Sequence, residues 1–129
     1  AGVRADGQVL IYPVTDSDWQ QPSYLARPED RAHIEMLWDL YCPPAQRTDP
    51  DAAPLRASTL AGLAPALVIS AEVDVLNSEI EAYASALVEA GVSVTWHLME
   101  GASHGVLSYW ATEPAADQSL DVVAAWLAR

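Results

Sequence analysis

Short apolar runs alternate along this chain with segments whose apolar residues recur at helical spacing. The runs span residues 8–12, 66–73 and 92–99, with lengths and compositions typical of β-strands. A helix-like segment follows each run, and strands that alternate with helices form parallel sheets. The pattern therefore predicts an α/β fold with three parallel strands and flanking helices.

The first run predicts a buried strand close to the start of the sequence. Residues 8–12 (QVLIY) form a short apolar run, which is typical of a strand buried on both faces. A domain rarely begins on such a strand, because an uncovered strand edge invites pairing with other chains. We therefore expect sequence upstream of residue 1.

The third run is predicted to be a strand with one apolar face, which is formed by Val92, Val94, Trp96 and Leu98.

The helix-like segments each carry one apolar stripe that is expected to face the core. The stripe of residues 29–41 consists of Ile34, Leu37, Trp38 and Tyr41. The second consists of Ile80, Tyr83, Ala84, Leu87 and Val88, and the third of Leu120, Val123, Ala124 and Leu127. The polar, proline-rich stretches 13–28 and 45–65 predict irregular connections.

Local signals predict where the second and third helices begin and end. Ser78 with Glu81 predicts a capping box at the start of the second helix, and Gly91 predicts its end. Glu79, in the same first turn, is expected to interact favourably with the helix dipole. Pro114 suits the first turn of the third helix.

Two reactive side chains follow the second and third runs. Asp74 comes directly after residues 66–73, and His104 lies in a loop between Gly101 and Gly105. The carboxyl ends of adjacent parallel strands lie side by side, so the Asp74 carboxylate is expected to reach the His104 imidazole. Such a pair forms two thirds of a hydrolytic triad. Taken singly, Asp74 is more simply a turn residue, and His104 makes a local hydrogen bond.

Other side chains compete for a catalytic role. Ser103 completes a literal G-x-S-x-G motif, but a nucleophilic serine of that motif precedes its acid and histidine along the chain, whereas Ser103 follows Asp74. Ser103 is therefore not expected to be the nucleophile. Glu72 shares strand parity with Asp74 and is a rival acid. His33 and His97 are expected to be structural or solvated.

Composition excludes several classes of function. The formal net charge is −12 over 129 residues, which argues against binding to nucleic acids or anionic membranes. No stretch is long enough to span a bilayer. Three scattered histidines and the single Cys42 lack zinc-ligand spacing, and no phosphate-binding glycine loop is present, so no metal or cofactor is expected. One lone cysteine fits a reducing compartment such as the cytoplasm.

The sequence resembles the C-terminal part of the α/β-hydrolase fold, most closely the bacterial esterases related to hormone-sensitive lipase. The resemblance rests on GQVLIYPVTD (7–16), DAAPLRA with LAGLAPALVISAEVDVL (51–76), EAYASALVEAGVSV (81–94) and EGASHGV (100–106). In that family the aspartate that closes A-E-x-D is the acid of the triad, and the histidine of G-x-x-H-G is the base. The resemblance therefore implies these roles for Asp74 and His104.

The resemblance also implies what is missing and what has changed. The family's G-D-S-A-G nucleophile elbow and H-G-G-G oxyanion loop precede QVLIY, and neither is in this chain. Residues 1–129 are thus expected to be one partial domain that needs its N-terminal half as a partner and is inactive alone. Residues 17–54 are implied to be a cap-like excursion. The family's D-P-L-R-D-E is replaced by DVLNSE at 74–79, a change expected to loosen the acid loop, and its phenylalanine after H-G is replaced by Val106.

The implied function is carboxylic-ester hydrolysis, on short to medium acyl esters, by a Ser-His-Asp triad. Two alternatives stay open. One is a non-catalytic α/β-hydrolase-like module for binding or assembly, and the other is an amidase or deacetylase on the same triad. A serine elbow encoded upstream distinguishes the enzymes from the non-catalytic module. The sequence leaves the oligomeric state open.

Overall fold

The computed structural model of the protein describes residues 5–129. In this range three strands form one parallel sheet in the order β1-β2-β3, where β1 is Gln8–Ile11, β2 is Ala66–Val73 and β3 is Val94–Ser103. The predicted α/β fold with three parallel strands is confirmed. Consecutive strands are neighbours, so the carboxyl ends of β2 and β3 lie side by side.

Within residues 5–129 four α-helices accompany the sheet: α1 is Pro22–Ala26, α2 is Pro28–Tyr41, α3 is Asn77–Glu89 and α4 is Pro114–Leu127. Short 3₁₀ turns occupy Pro44–Gln46, Pro54–Arg56 and Val106–Tyr109. The sequence predicts an irregular connection where α1 lies, because a five-residue helix started by a proline leaves almost no periodic signal. In the part of the chain that the structure describes, the helices are too short or too polar to cross a bilayer.

Strand β2 is the centre of the core because both of its faces are covered. Alternate side chains contribute to two clusters on opposite sides of the sheet. The α3 side comprises Ala66, Val68, Leu76, Ile80, Tyr83 and Leu87. The α4 side comprises Leu67, Ile69, Ala71 and Met99 with the partly buried Val122, Val123 and Trp126. A slip of one residue would exchange the two faces, so this packing fixes the register of β2.

The two outer strands are more exposed than the sequence predicts. β1 is only partly buried and its Ile11 is 40% exposed, so the prediction of burial on both faces is wrong for the described residues. β3 starts at Val94 rather than at residue 92, and it continues to Ser103. Its Trp96 is 45% exposed. Both strands are edges of the described sheet, where each pairs with β2 alone.

The capping box predicted for α3 is wrong. The helix begins at Asn77, the residue at its N-cap position is Leu76, and that residue makes no side-chain cap. Ser78 already lies inside the helix, and its Oγ accepts a hydrogen bond from the Ser23 N–H of α1 at 3.0 Å. A partner more than fifty residues away in the sequence has thus replaced the local cap.

The predicted ends of α2 and α3 are confirmed. α2 ends at Tyr41, just before two consecutive prolines. Gly91 takes a φ of 80°, and the following Val92 N–H donates to the Leu87 carbonyl at 3.0 Å, a helix ending that favours glycine. In the α2 stripe only Trp38 is buried.

The predicted buried face of α4 is wrong in most of its members. Three of them are exposed: Leu120, Ala124 and Leu127. The side of α4 that faces the sheet includes the fully buried Ser119. Its hydroxyl donates to the Ala115 carbonyl at 2.7 Å and hydrogen-bonds to His97 Nε2 at 3.0 Å. A serine with these partners can be buried at little cost, and an apolar periodicity does not detect it.

Candidate active site

The carboxyl ends of β2 and β3 bring Asp74 and His104 together. Asp74 follows the last residue of β2, and His104 follows the last residue of β3. Asp74 Oδ2 lies 2.8 Å from His104 Nδ1. The parallel topology thus produces an acid–imidazole pair from two segments that are thirty residues apart. The catalytic role of the pair stays a prediction.

Hydrogen bonds hold both oxygens of the Asp74 carboxylate. The side chain is fully buried. Oδ1 accepts from the Leu76 N–H at 2.9 Å, while Oδ2 contacts His104. An aspartate that accepts from the backbone two residues further on forms an Asx turn. This turn fixes the direction from which the carboxylate meets the imidazole.

His104 is half-exposed and oriented by Asp74. The hydrogen bond to Asp74 raises the pKa of His104 above its ordinary value, burial opposes this rise, and the Asp74 charge adds to it. Because Nδ1 is engaged by Asp74, Nε2 is the nitrogen that remains for a reactant. An imidazole held in this way is suited to general acid–base chemistry.

Tyr12 is a contact of His104 that the sequence does not reveal. The two rings are tilted, with centroids 4.7 Å apart. Tyr12 has a φ of 31°, the one positive φ outside glycine in the described chain, and strained backbone of this kind often lies at functional sites. Its N–H donates to the Ile69 carbonyl at 2.7 Å, and its hydroxyl accepts from the Leu107 N–H at 3.3 Å. Tyr12 therefore supports both the imidazole and the backbone that follows it.

The rival side chains lie in other environments. Glu72 is exposed and accepts from the Gly101 N–H at 2.6 Å, so it binds the backbone of β3 three residues before His104. His97 contacts α4, and His33 is exposed on α2. Ser103 is the exposed last residue of β3, and a 3₁₀ turn rather than an α-helix begins after it. That setting differs from the strand-to-helix turn of a nucleophile elbow.

A cleft of about 340 Å³ lies against the pair. Asp74, His104 and Ser103 line it together with residues between 27 and 34, at the N-cap and in the first half of α2. The charged or titratable side chains that this second segment contributes are Arg27, Asp30 and His33. Within the described residues, no group of three histidine, cysteine or acidic side chains is arranged to hold a metal ion.

Glu79 has surroundings that the sequence does not predict. The residue is completely buried. Its Oε1 accepts from the N–H groups of Thr15 at 2.6 Å and Asp16 at 3.4 Å, and its Oε2 accepts from the Tyr24 hydroxyl at 2.6 Å. Burial raises the pKa of Glu79 to about 7 in spite of these hydrogen bonds. Its partners lie more than fifty residues earlier in the sequence, so no local pattern indicates them.

Comparison with known proteins agrees with this arrangement. Residues 1–108 match the family model of the alpha/beta hydrolase fold. The chain belongs to this family. This α/β-hydrolase chain is 36% identical over 124 residues to the ethyl acetate hydrolase of Pseudomonas putida, an alignment that covers 90% of the chain and 38% of that protein. It is 38% identical over 110 residues to the carboxylic ester hydrolase LipN of Mycobacterium tuberculosis, covering 78% of the chain and 28% of LipN.

Solved structures of esterases resemble the α/β-hydrolase chain in the same way. A fungal esterase from Rhizomucor miehei superposes with a TM-score of 0.87 at 42% identity, over 95% of this chain and 40% of the esterase. A thermostable esterase from Pseudomonas putida ECU1011 superposes with a TM-score of 0.82 at 38% identity, over 88% of this chain and 39% of the esterase. The chain thus spans two fifths or less of the length of these four relatives.

Proposed function

We propose that the intact protein is a carboxylic-ester hydrolase that acts on short to medium acyl esters through a Ser-His-Asp triad. This chain supplies Asp74 as the acid and His104 as the base. The observation that carries the proposal is the 2.8 Å contact between Asp74 Oδ2 and His104 Nδ1 at the ends of neighbouring parallel strands. The family and the esterase relatives support the same class of reaction.

In the proposed reaction His104 is both base and acid. Its neutral imidazole accepts the serine hydroxyl proton at Nε2 while the serine oxygen attacks the ester carbonyl carbon. Asp74 keeps the proton on Nδ1 and stabilises the imidazolium. Nε2 then donates its proton to the leaving alcohol, which leaves an acyl-serine. The imidazole next deprotonates water, and attack by that water releases the carboxylic acid and restores the serine.

The serine and the oxyanion-hole donors are proposed to come from an N-terminal half of the same domain. β1 pairs with β2 alone among the described residues, and Ile11 at its end is 40% exposed. A strand that carries the serine would pair with the open edge of β1. The alternative function, a non-catalytic module that binds a partner by strand addition, would use this same edge.

The isolated 129-residue chain is expected to show no serine-dependent hydrolysis of p-nitrophenyl butyrate, whereas the intact protein hydrolyses it. The reason is that the chain carries the acid and the base without the nucleophile elbow. The coding DNA upstream of Ala1 should encode a strand, G-x-S-x-G and a helix, and assays of both proteins with and without a serine-directed phosphonate test the difference. A stop codon directly upstream, or activity of the isolated chain, contradicts the proposal.

We also propose that residues 17–54 form a cap that influences acyl selectivity. Helix α2 lies in this segment and lines the cleft at Asp74 and His104. On α2 there is also an apolar cavity of about 290 Å³, lined by Val14, Ile34, Leu37, Trp38, Tyr41 and Ala52. Ile34 lines both the cleft and the cavity. The cavity is therefore placed to accept the apolar part of an ester whose carbonyl lies at His104.

Filling the apolar cavity is expected to shift selectivity towards short acyl chains. Leu37→Trp should lower the ratio of kcat/KM for p-nitrophenyl hexanoate to that for the acetate by about tenfold, because a longer acyl chain loses apolar contacts. Leu40→Trp is the matched control, since Leu40 is 78% exposed on the same helix and does not line the cavity. Equal effects of the two variants, or an unchanged ratio in Leu37→Trp, would argue against the cavity as an acyl site.

A cytoplasmic location is the last part of the proposal. Cys42 is the single cysteine of the sequence, so the chain forms no internal disulfide. Proteins of oxidising compartments more often carry such bonds. Subcellular fractionation with an antibody against the protein tests the assignment.

A further inference from the structure

Ser23 of α1 forms three hydrogen bonds with the segment that follows Asp74, at Val75 and at Ser78 near the start of α3. Its Oγ donates to the Val75 carbonyl at 2.6 Å and accepts from the Ser78 N–H at 3.2 Å. Its own N–H donates to Ser78 Oγ at 3.0 Å. These three bonds are termed the Ser23 clasp below.

The clasp binds the Val75 carbonyl and the Ser78 N–H, which lie on either side of the Leu76 N–H that orients Asp74. Leu76 lies between Val75 and Ser78, and its N–H donates to Asp74 Oδ1 at 2.9 Å. Val75 and Leu76 are both buried, and hydrogen bonds away from water are electrostatically stronger. Any displacement of residues 75–78, which form the turn after Asp74 and the start of α3, would therefore move the Leu76 N–H, and with it the carboxylate that meets His104.

The clasp restrains a segment that the local sequence leaves unrestrained. Residues 75–78 read Val-Leu-Asn-Ser and contain no proline. A proline fixes its own φ and so restricts such a turn. A turn without proline has more backbone freedom. Here the restraint comes from α1 instead, through a hydroxyl that no local sequence pattern connects to Asp74.

We propose that Ser23 is a positioning residue, which keeps Asp74 within hydrogen-bonding distance of His104 and thereby links the 17–54 excursion to the triad. The inference rests on the function proposed above for Asp74 and His104. A second contact supports the link, because the neighbouring Tyr24 hydroxyl donates to Glu79 Oε2 at 2.6 Å and holds α1 against α3.

The test follows the His104 imidazole in Ser23 variants of the intact protein. NMR titration, with the resonance assigned by its loss in His104→Gln, reports the pKa of His104 without requiring activity. In Ser23→Ala that pKa is expected to fall towards its ordinary value of 6.5, because the Asp74 hydrogen bond is less populated. kcat is expected to fall about tenfold with KM little changed, the effect of a misplaced catalytic group.

Two further variants separate positioning from general stabilisation. Ser23→Thr keeps the hydroxyl and should restore the wild-type titration. Ser17→Ala removes one hydrogen bond of the same segment, from Ser17 Oγ to the Arg47 carbonyl at 2.9 Å, and should leave the titration unchanged. A wild-type His104 pKa in Ser23→Ala, or an equal fall in Ser17→Ala, overturns the proposal.

If Ser23→Ala does not fold, Ser78→Ala decides in its place: a lowered His104 pKa supports the clasp and an unchanged one refutes it. Absence of ester hydrolysis would refute the proposed function and leave the titration result standing.

Discussion

Replacing His104 with alanine is expected to lower kcat for ester hydrolysis by the intact protein by a factor on the order of 10⁴ to 10⁶. The imidazole is proposed to take the serine proton and to return it to the leaving alcohol, so its loss affects the chemical steps. The decrease corresponds to about 5 to 8 kcal/mol of lost transition-state stabilisation. KM should change little, because the lost interactions arise only in the transition state. Steady-state kinetics with p-nitrophenyl butyrate measures both constants.

Each half of the pair has a control within the same chain. His97→Gln changes a histidine of β3, the strand that precedes His104, whose side chain hydrogen-bonds to Ser119, and it should leave kcat close to that of the wild type. Asp74→Asn should lower kcat by about 10⁴, because the amide no longer stabilises the imidazolium. Glu72→Gln alters the rival acid and should have a small effect. A loss in Glu72→Gln as large as that in Asp74→Asn would transfer the acid role to Glu72.

The pH dependence of kcat/KM provides an independent test of the same pair. Protonated His104 cannot accept the serine proton, so activity falls as the pH decreases through the pKa of His104. Because the hydrogen bond to Asp74 raises that pKa above 6.5, the acidic midpoint of the wild type should lie above 6.5. In Asp74→Asn the midpoint should move down. A midpoint that does not move would mean that the activity reports another group.

The acid–imidazole pair is predictable from the sequence because each member depends on one strand end. β2 is a buried apolar run with the same bounds in sequence and structure, and Asp74 follows it directly. Gly101 and Gly105 mark the segment that presents His104 in the sequence, and in the structure they take positive φ values of 67° and 79°. Because β2 and β3 are parallel neighbours, their carboxyl ends lie side by side, and this brings the two side chains together. Both sequence signals are therefore local, and only the pairing of the strands is needed in addition.

The supports of the pair are not predictable in this way. Ser78 has the sequence signature of a helix cap, yet its hydroxyl binds Ser23. Tyr12 reaches Leu107 across ninety-five residues. The Ser23–Ser78 contact depends on how the 17–54 excursion folds back on α3, and the Tyr12–Leu107 contact on how the end of β1 approaches the segment after His104. No periodicity in the sequence describes either arrangement. The predicted buried face of α4 is wrong for a related reason. The buried Ser119 has hydrogen-bond partners for its hydroxyl, and a pattern of apolar residues does not indicate them.

Removing the Glu79 carboxylate is expected to destabilise the fold strongly. Glu79→Ala should lower the free energy of unfolding by about 3 to 5 kcal/mol, because the buried Thr15 N–H and the Tyr24 hydroxyl lose their acceptor and a cavity forms. Glu81→Ala is the matched control in the same helix turn, where Glu81 is exposed, and it should change stability by less than about 0.5 kcal/mol. Urea unfolding at pH 5 measures both.

Glu79→Gln isolates the charge of this buried group from its shape. The folded-state pKa of about 7 lies above the ordinary glutamate value of 4.5, so between these pH values the folded protein binds more protons than the unfolded chain. The Glu79 contribution to stability is therefore fully present below pH 4.5 and is lost as the pH rises through 7. The free energy of unfolding should fall by an amount on the order of 3 kcal/mol over this pH range, and Glu79→Gln should show no such fall.

The decisive comparison is the difference in unfolding free energy between Glu79→Gln and the wild type at pH 5 and at pH 8. That difference should move in favour of the glutamine variant as the pH rises, since the amide carries no charge to desolvate. The same experiment with Glu81→Gln should show no such change. Parallel pH profiles for Glu79→Gln and the wild type would mean that Thr15, Asp16 and Tyr24 fully compensate the buried charge, in which case this carboxylate would stay ionised throughout the neutral range.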